Sequence, residues 1–331
     1  MKRPAPSRRS ALVLGTLLLF AAALAPSGAR AASSASASSK RVSATAATKS
    51  RSKKAVRSRP RRRSRTLRLP AVTPHGIPRL HVKAAYVEDA ASGQVLFQKN
   101  PERVYPIASL TKLVSALVLL DTNPDWDRVV EVIPEDVHNS SRSRIRAREE
   151  ISVRDLFHAS LMSSDNVATK ALARTSGLTA SEFVRRMNAK ADSLGLTGAH
   201  FVEPTGLSEE NVATAQAVAK LLRTAADNDI VSAIMQKQTY EFTSNRRLHR
   251  LVNTNRLLRS KWHVTAGKTG FIHEAGYCLA TNIEGPTGAE ITAVVLGAPS
   301  NALRFAEARR ILDWTFRFGL NAAGAADGGN E

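Results

Sequence analysis

Three short stretches of the chain carry residue types that can exchange protons and attack a carbonyl carbon. Ser109-Leu110-Thr111-Lys112 sets a hydroxyl and an amine one helical turn apart, inside the apolar run YPIASLTKLVSALVLLD. Residues at that spacing share a helix face. A serine hydroxyl is a poor nucleophile until a neighbouring base takes its proton. A lysine amine can be that base when burial and nearby cations lower its pKa. Taken alone, the four residues fit an ordinary helix start, with Ser as the cap and Lys in solvent. Ser50-Arg51-Ser52-Lys53 repeats the pattern in a stretch that has no aromatic residue and reads as unfolded. Two further motifs change the balance. Ser164-Asp165-Asn166 follows 55 residues after Ser109, at a junction between helical runs, and Lys268-Thr269-Gly270 follows 104 residues after Ser164, ending a strand-like run.

Together these residues outline serine acyl transfer. Ser109 would attack, Lys112 would act as its base, and Lys268 is the candidate cation that lowers the Lys112 pKa. Ser164 can relay a proton towards the leaving group, and Asn166 offers an amide to the substrate backbone. Lys268 and Thr269 suit a carboxylate or a peptide carbonyl, while Gly270 lets the strand approach the substrate closely. The backbone N–H groups of Ser109 and Phe271 would form an oxyanion hole, typically worth ~3–4 kcal/mol per donor. The ordered set S-x-x-K, S-D-N and K-T-G is the signature of class A β-lactamases and penicillin-binding proteins.

The elements that must position these residues follow from periodicity. His81–Asp89 and Gly93–Gln98 read as two strands joined by Ala90-Ala91-Ser92 in a hairpin. Apolar spacing of three to four residues predicts helices over Ser109–Asp121, Val153–Met162, Asn166–Thr175, Ala180–Leu194 and Ala213–Ala226. Strands resume at His263–Thr269, Ala275–Ile283 and Glu290–Leu296, and Asn301 to Phe318 reads as a closing helix. Strands at both ends with helices between predict one α/β (α+β) domain, residues 80–320, whose terminal segments share a sheet.

The charge is unevenly spread. Of 48 Lys and Arg residues, 18 lie in residues 1–69, which contain no Asp or Glu; 30 basic residues then face 28 acidic ones. The net charge of +20 therefore belongs to a tail. A nucleic-acid-binding domain would carry it on the fold. Lys2, Arg3, Arg8 and Arg9 precede the apolar run Ala11–Leu24 and Ala29-Arg30-Ala31, which reads as a secretory signal peptide over residues 1–31. The run is short of the ~20 apolar residues of a spanning helix. Its echo of a twin-arginine signal is loose, so Sec export to the periplasm, without a membrane anchor, is the expectation. Residues 32–79 form a basic linker rich in Ala, Ser, Arg and Lys, expected to be disordered and able to contact an anionic wall or lipid surface. Residues 321–331 read as a flexible tail. Cys278, the only cysteine, excludes an internal disulfide and reads as a small buried apolar residue.

Three longer stretches, YPIASLTKL, HFVEPTGLSEENVATA (His200–Ala215) and GKTGFIHEAGYCLA (Gly267–Ala280), resemble the low-molecular-weight penicillin-binding proteins, the D-alanyl-D-alanine serine peptidases. The likeness runs from about Lys83 to Phe318. It implies a β-lactamase-like fold, a mostly antiparallel sheet covered by helices on both faces with the active site at their junction. It also implies acylation of Ser109 by a peptidoglycan stem peptide, hydrolysis of the acyl-enzyme by water, inhibition by β-lactams, and no metal or organic cofactor. Carboxypeptidases of this group usually carry a second β-rich domain and a C-terminal amphipathic helix. With Glu331 about a dozen residues past the last helix, the chain resembles instead the soluble endopeptidases that cut D-Ala-to-diaminopimelate cross-bridges. Carboxypeptidases also tend to place an arginine at the position of Thr254, where it meets the substrate's free carboxylate. A D,D-carboxypeptidase and a catalytically silent wall-binding protein are the competing readings.

Glu203-Pro204 resembles the deacylating Glu-Pro-x-x-Asn of class A β-lactamases, but Leu207 stands where the Asn is needed. Slow release of penicillin is therefore expected. His273-Glu274 lacks the second His of a zinc H-E-x-x-H motif, and no G-x-S-x-G elbow exists.

Overall fold

The computed structural model describes residues 76–320 apart from residues 142, 286 and 287. The leader, the linker up to residue 75 and the tail from residue 321 lie outside the described residues. Strands β1 (Ala84–Asp89) and β2 (Val95–Lys99) open the fold, and β3 (Tyr105–Pro106) leads through a 3-10 turn, Ala108–Thr111, into α1 (Lys112–Asp121). Strand β4 (Val129–Glu131), α2 (Pro134–Val137) and β5 (Glu150–Ser152) precede the helices α3 (Val153–Met162), α4 (Asn166–Thr175) and α5 (Ala180–Ser193). Next come β6 (Val212–Ala213), α6 (Ala215–Ala226), α7 (Asp229–Gln236), and a hairpin of β7 (Thr239–Thr243) and β8 (Leu248–Val252). Strands β9 (His263–Ile272), β10 (Gly276–Glu284) and β11 (Glu290–Ala298) and helix α8 (Asn301–Trp314) close the domain.

Five strands form one antiparallel sheet in the order β2-β1-β11-β10-β9, so segments from both ends of the domain do share it. Successive side chains of a strand point to opposite faces, and here both faces are covered. Tyr86, Cys278, Ala280, Val294 and Leu296 join the larger core with α1 and α3 to α7. Val87, Leu279, Ile291 and Val295 meet Phe305, Ile311 and Leu312 of α8. This is the helix-covered α/β (α+β) arrangement the resemblance implied.

Helix α1 is buried continuously from Lys112 to Leu119. A helix apolar on all sides belongs to a core rather than a surface, and this one carries Lys112 inside with it. Side-chain caps set the helix starts: Ser152 accepts from the Asp155 N–H (3.0 Å), Asp165 from Ala168 (3.1 Å), Thr214 from Ala217 (3.0 Å) and Ser300 from Leu303 (3.1 Å). Several features differ from the sequence reading, among them unpredicted β4, β5 and α7 and a β9 that runs past the K-T-G motif to Ile272. The α-helix begins at Lys112, and Ser109 lies in the 3-10 turn without capping either helix. The β7–β8 hairpin, absent from that reading, packs Phe242 and Leu251 into the larger core. No helix among the described residues is long and apolar enough to cross a membrane.

Candidate active site

The three motifs meet in one cleft of about 890 Å³, lined among others by Ser109, Ser164, Asn166, Thr254, Thr269, Gly270 and Phe271. Lys112, fully buried, has three neighbours: Ser109 Oγ at 3.1 Å, Asn166 Oδ1 at 2.6 Å and the Thr205 carbonyl oxygen at 2.5 Å. Two of these oxygens can only accept, whereas the serine hydroxyl can donate. A neutral amine, with two N–H bonds and one lone pair, satisfies all three at once and leaves its lone pair on the Ser109 proton.

Burial brings the Lys112 pKa down to about 7, against the opposing charges of Glu203 and Asp165. Lys268 is also buried and lies well below the ordinary lysine range, first through burial and then through the charges of Lys112 and Arg304. The sequence reading named burial together with nearby cations, Lys268 being the candidate. Here desolvation is the first cause for both amines. Lys268 Nζ donates to Ser164 Oγ (2.7 Å) and to the Thr269 carbonyl (3.0 Å).

Ser164 holds a left-handed backbone (φ +61°), which costs a non-glycine residue of the order of 1–3 kcal/mol. Its neighbour Asp165 fixes it by capping α4 and by accepting from Ser143 Oγ (2.6 Å). The Asn166 amide, expected to face substrate, donates to the Ser140 carbonyl (3.2 Å) and Ser141 Oγ (2.8 Å) while its oxygen holds Lys112. Its position is that of a brace between α1, α4 and the 140–141 turn.

The nucleophile turn sits between two glycines. Ala108 is left-handed (φ +49°). A Cβ on Gly206 would fall 2.0 Å from the Ala108 oxygen, and one on Gly270 would fall 2.8 Å from the Ile107 oxygen. Gly270 thus lets β9 close on the turn that carries Ser109, a role the sequence reading had given to contact with substrate. Phe271 follows, half-exposed on the cleft wall and stacked on Tyr277 with ring centroids 4.2 Å apart. Thr254 lies beside the motif, 2.7 Å from Thr269 Oγ1.

Three participants take roles the sequence reading did not give them. Arg304 of α8 is buried and donates to the carbonyls of Gly270 and Cys278, both at 3.0 Å, pinning β9 to β10 next to the cleft. The Thr205 carbonyl reaches Lys112 from a loop 93 residues away. Glu203 organises that loop: its carboxylate accepts from the backbone N–H groups of Thr205 (2.7 Å), Gly206 (2.5 Å) and Leu207 (2.8 Å) and from Asn211 Nδ2 (2.7 Å). The sequence had singled out this stretch through its resemblance and its Glu-Pro pair, but not as the support of Lys112.

Comparison with known proteins agrees with this geometry. The model of the D-alanyl-D-alanine carboxypeptidase family (peptidase S11) matches residues 71–300. The chain is 38% identical to the D-alanyl-D-alanine endopeptidase of Pseudomonas aeruginosa, over 70% of this chain and 76% of that protein. It is 33% identical to the Escherichia coli protein of the same name, over 74% and 80% respectively. A Bacillus subtilis D-alanyl-D-alanine carboxypeptidase is 30% identical, over 71% of this chain and 62% of that protein. Among solved structures, the Streptomyces K15 DD-transpeptidase superposes with a TM-score of 0.69 at 25% identity, covering 73% of this chain and 99% of that one.

Proposed function

The chain belongs to the D-alanyl-D-alanine carboxypeptidase family, and within it we propose an exported D-alanyl-D-alanine endopeptidase that opens peptidoglycan cross-bridges through an acyl-enzyme on Ser109. The observation that carries this reading is the contact of a buried Lys112 amine with the Ser109 hydroxyl, at a cleft lined by Ser164 and Thr269 with Lys268 bonded to Ser164. Lys112 takes the serine proton as Oγ attacks the D-Ala carbonyl. The N–H groups of Ser109 and Phe271 receive the developing oxyanion. Ser164 hands its proton to the departing amine and takes up the one Lys112 collected, so both return to their starting states. Water then adds to the acyl carbonyl, and one of its protons goes back to Ser109 Oγ as the acid leaves.

Lys268 and Thr269 hold the substrate's carboxylate side. An arriving anion favours the protonated form of Lys268, so substrate binding would draw a proton into the cleft. The endopeptidase branch is supported by the two relatives of that name and by Thr254. This residue contacts Thr269 but brings no charge to meet a chain-terminal carboxylate. The leader over residues 1–31 supports export to the periplasm, and the basic linker supports contact with an anionic surface there.

Purified cross-linked muropeptide dimers and monomeric pentapeptides separate the branches, with Ser109→Ala as the inactive control. Dimers are expected to be cut at least tenfold faster, and release of D-Ala from monomers with dimers intact would assign the carboxypeptidase activity instead. Glu203 supplies a second check. With both carboxylate oxygens saturated by its own loop, it has no lone pair set aside for a hydrolytic water. Glu203→Gln is expected to slow penicillin acylation about tenfold by loosening Thr205, while the acyl-enzyme lifetime stays within about twofold. A lifetime prolonged by orders of magnitude would make Glu203 a deacylating base after all.

A further inference from the structure

The part of the chain after residue 69 is almost neutral, with 30 basic and 28 acidic residues, yet one of its faces is not. The segment before β5 and the turn of the β7–β8 hairpin bring Arg144, Arg146, Arg148 and Arg246 together, all exposed. Arg246 Nε donates to the Arg148 carbonyl (3.1 Å), and Arg247 reaches the Arg144 carbonyl. The acid within this cluster, Glu149, is buried. It is engaged by His249 Nε2 (2.5 Å), Ser244 Oγ (3.0 Å), Arg247 (2.9 Å) and the Arg146 N–H (3.0 Å). Burial alone would push its pKa up, but those hydrogen bonds hold it below the usual carboxylate range. It is therefore a charged strut of the hairpin rather than a partner for the outer arginines. Exposed Glu150 and the Glu241–Arg250 pair lie at the border. Among the described residues, none of the four arginines joins an ion pair.

Four like charges on neighbouring backbones repel one another, so the arrangement favours an anionic ligand. The planar guanidinium fork fits a carboxylate two bonds at a time. The patch is also continuous with the cleft. Ser141 and Ser143, just before Arg144, hydrogen-bond Asn166 and Asp165, and β8 runs on into Asn253 and Thr254.

We propose that this arginine face docks the carboxylate-bearing stem peptides of the polymer that flank the bond held at Ser109. It thereby selects assembled peptidoglycan over small fragments. The inference rests on the peptidoglycan reading above.

The test uses the full chain carrying R144Q, R146Q, R148Q and R246Q, leaving Arg247 on Glu149. For insoluble sacculi, KM is expected to rise about tenfold, as four exposed charge contacts allow, with kcat unchanged. Soluble dimers and fluorescent penicillin should react within about twofold of the wild type. The deficit should shrink in 0.5 M salt, and the four-lysine version should recover only part of it, since lysine restores the charge but not the two-bond fork. An unchanged sacculus KM overturns the proposal. So does loss of attachment to phosphatidylglycerol vesicles with sacculus KM intact, which would assign the face to a lipid surface. Should the quadruple variant lose acylation, R246E alone decides: about threefold weaker on sacculi with full acylation upholds the proposal, and no change overturns it. Failure of the wild type to be labelled at Ser109 would instead remove the peptidase reading itself.

Discussion

Replacing Lys112 by alanine is expected to slow acylation of Ser109 by penicillin by about three powers of ten, within the range general-base catalysis commonly supplies. The reason is the site's composition. Lys112 is the amine in contact with the Ser109 hydroxyl, and its other two neighbours are oxygens that can only accept. Arginine cannot substitute, because a guanidinium keeps its proton at any working pH.

The pH profile carries the same information in the wild type. With the Lys112 pKa brought to about 7 by burial, the amine is protonated below that value and its lone pair is lost. Acylation should therefore rise through pH 6–7 and level off above about 8. Stopped-flow acylation between pH 5 and 9 measures both effects. A flat profile, or an alanine variant within tenfold of the wild type, would remove Lys112 as the base.

Gly206→Ala is expected to be nearly as damaging, although residue 206 touches no substrate atom in the proposed mechanism. Its backbone is left-handed (φ +82°), and the added Cβ would stand 2.0 Å from the Ala108 oxygen and 2.3 Å from its carbon. Backbone atoms cannot rotate away as a side chain could, so the turn bearing Ser109 must move by about an ångström. A displacement of that size costs of the order of a hundredfold in rate. Loss of stability should exceed the ~1 kcal/mol of strain alone. Gly93→Ala separates the two causes: its φ of +73° is similar, but its Cβ would meet open space. It should lose about 1 kcal/mol in a urea melt and acylate normally. Equal behaviour of the two variants would show that contact with Ala108 is not what residue 206 is selected for.

Much of the architecture was legible because its causes are local. Helices α3 and α4 fall on the residues predicted for them, since apolar spacing and the caps Ser152 and Asp165 act within one turn. Strands β9 to β11 and α8 begin close to where apolar runs begin. The β7–β8 hairpin was missed, although Tyr240, Phe242, His249 and Leu251 alternate. Tyr240 stacks on His158 of α3, and Phe242 stacks on His249 across the hairpin; histidines do not read as core in a sequence.

By itself the sequence determined which residues could perform acyl transfer: hydroxyl, amine and amide at Ser109, Lys112, Ser164, Asn166 and Lys268, carried on elements of recognisable type. It could not determine how those groups would be charged or what would brace them. Only the packing of α1 against segments up to 93 residues away strips water from Lys112, and only the approach of Gly206 and Gly270 holds Ala108 in its left-handed turn. Desolvation and close backbone contact depend on what the whole chain brings alongside a residue, whereas residue type and periodicity travel with the residue itself.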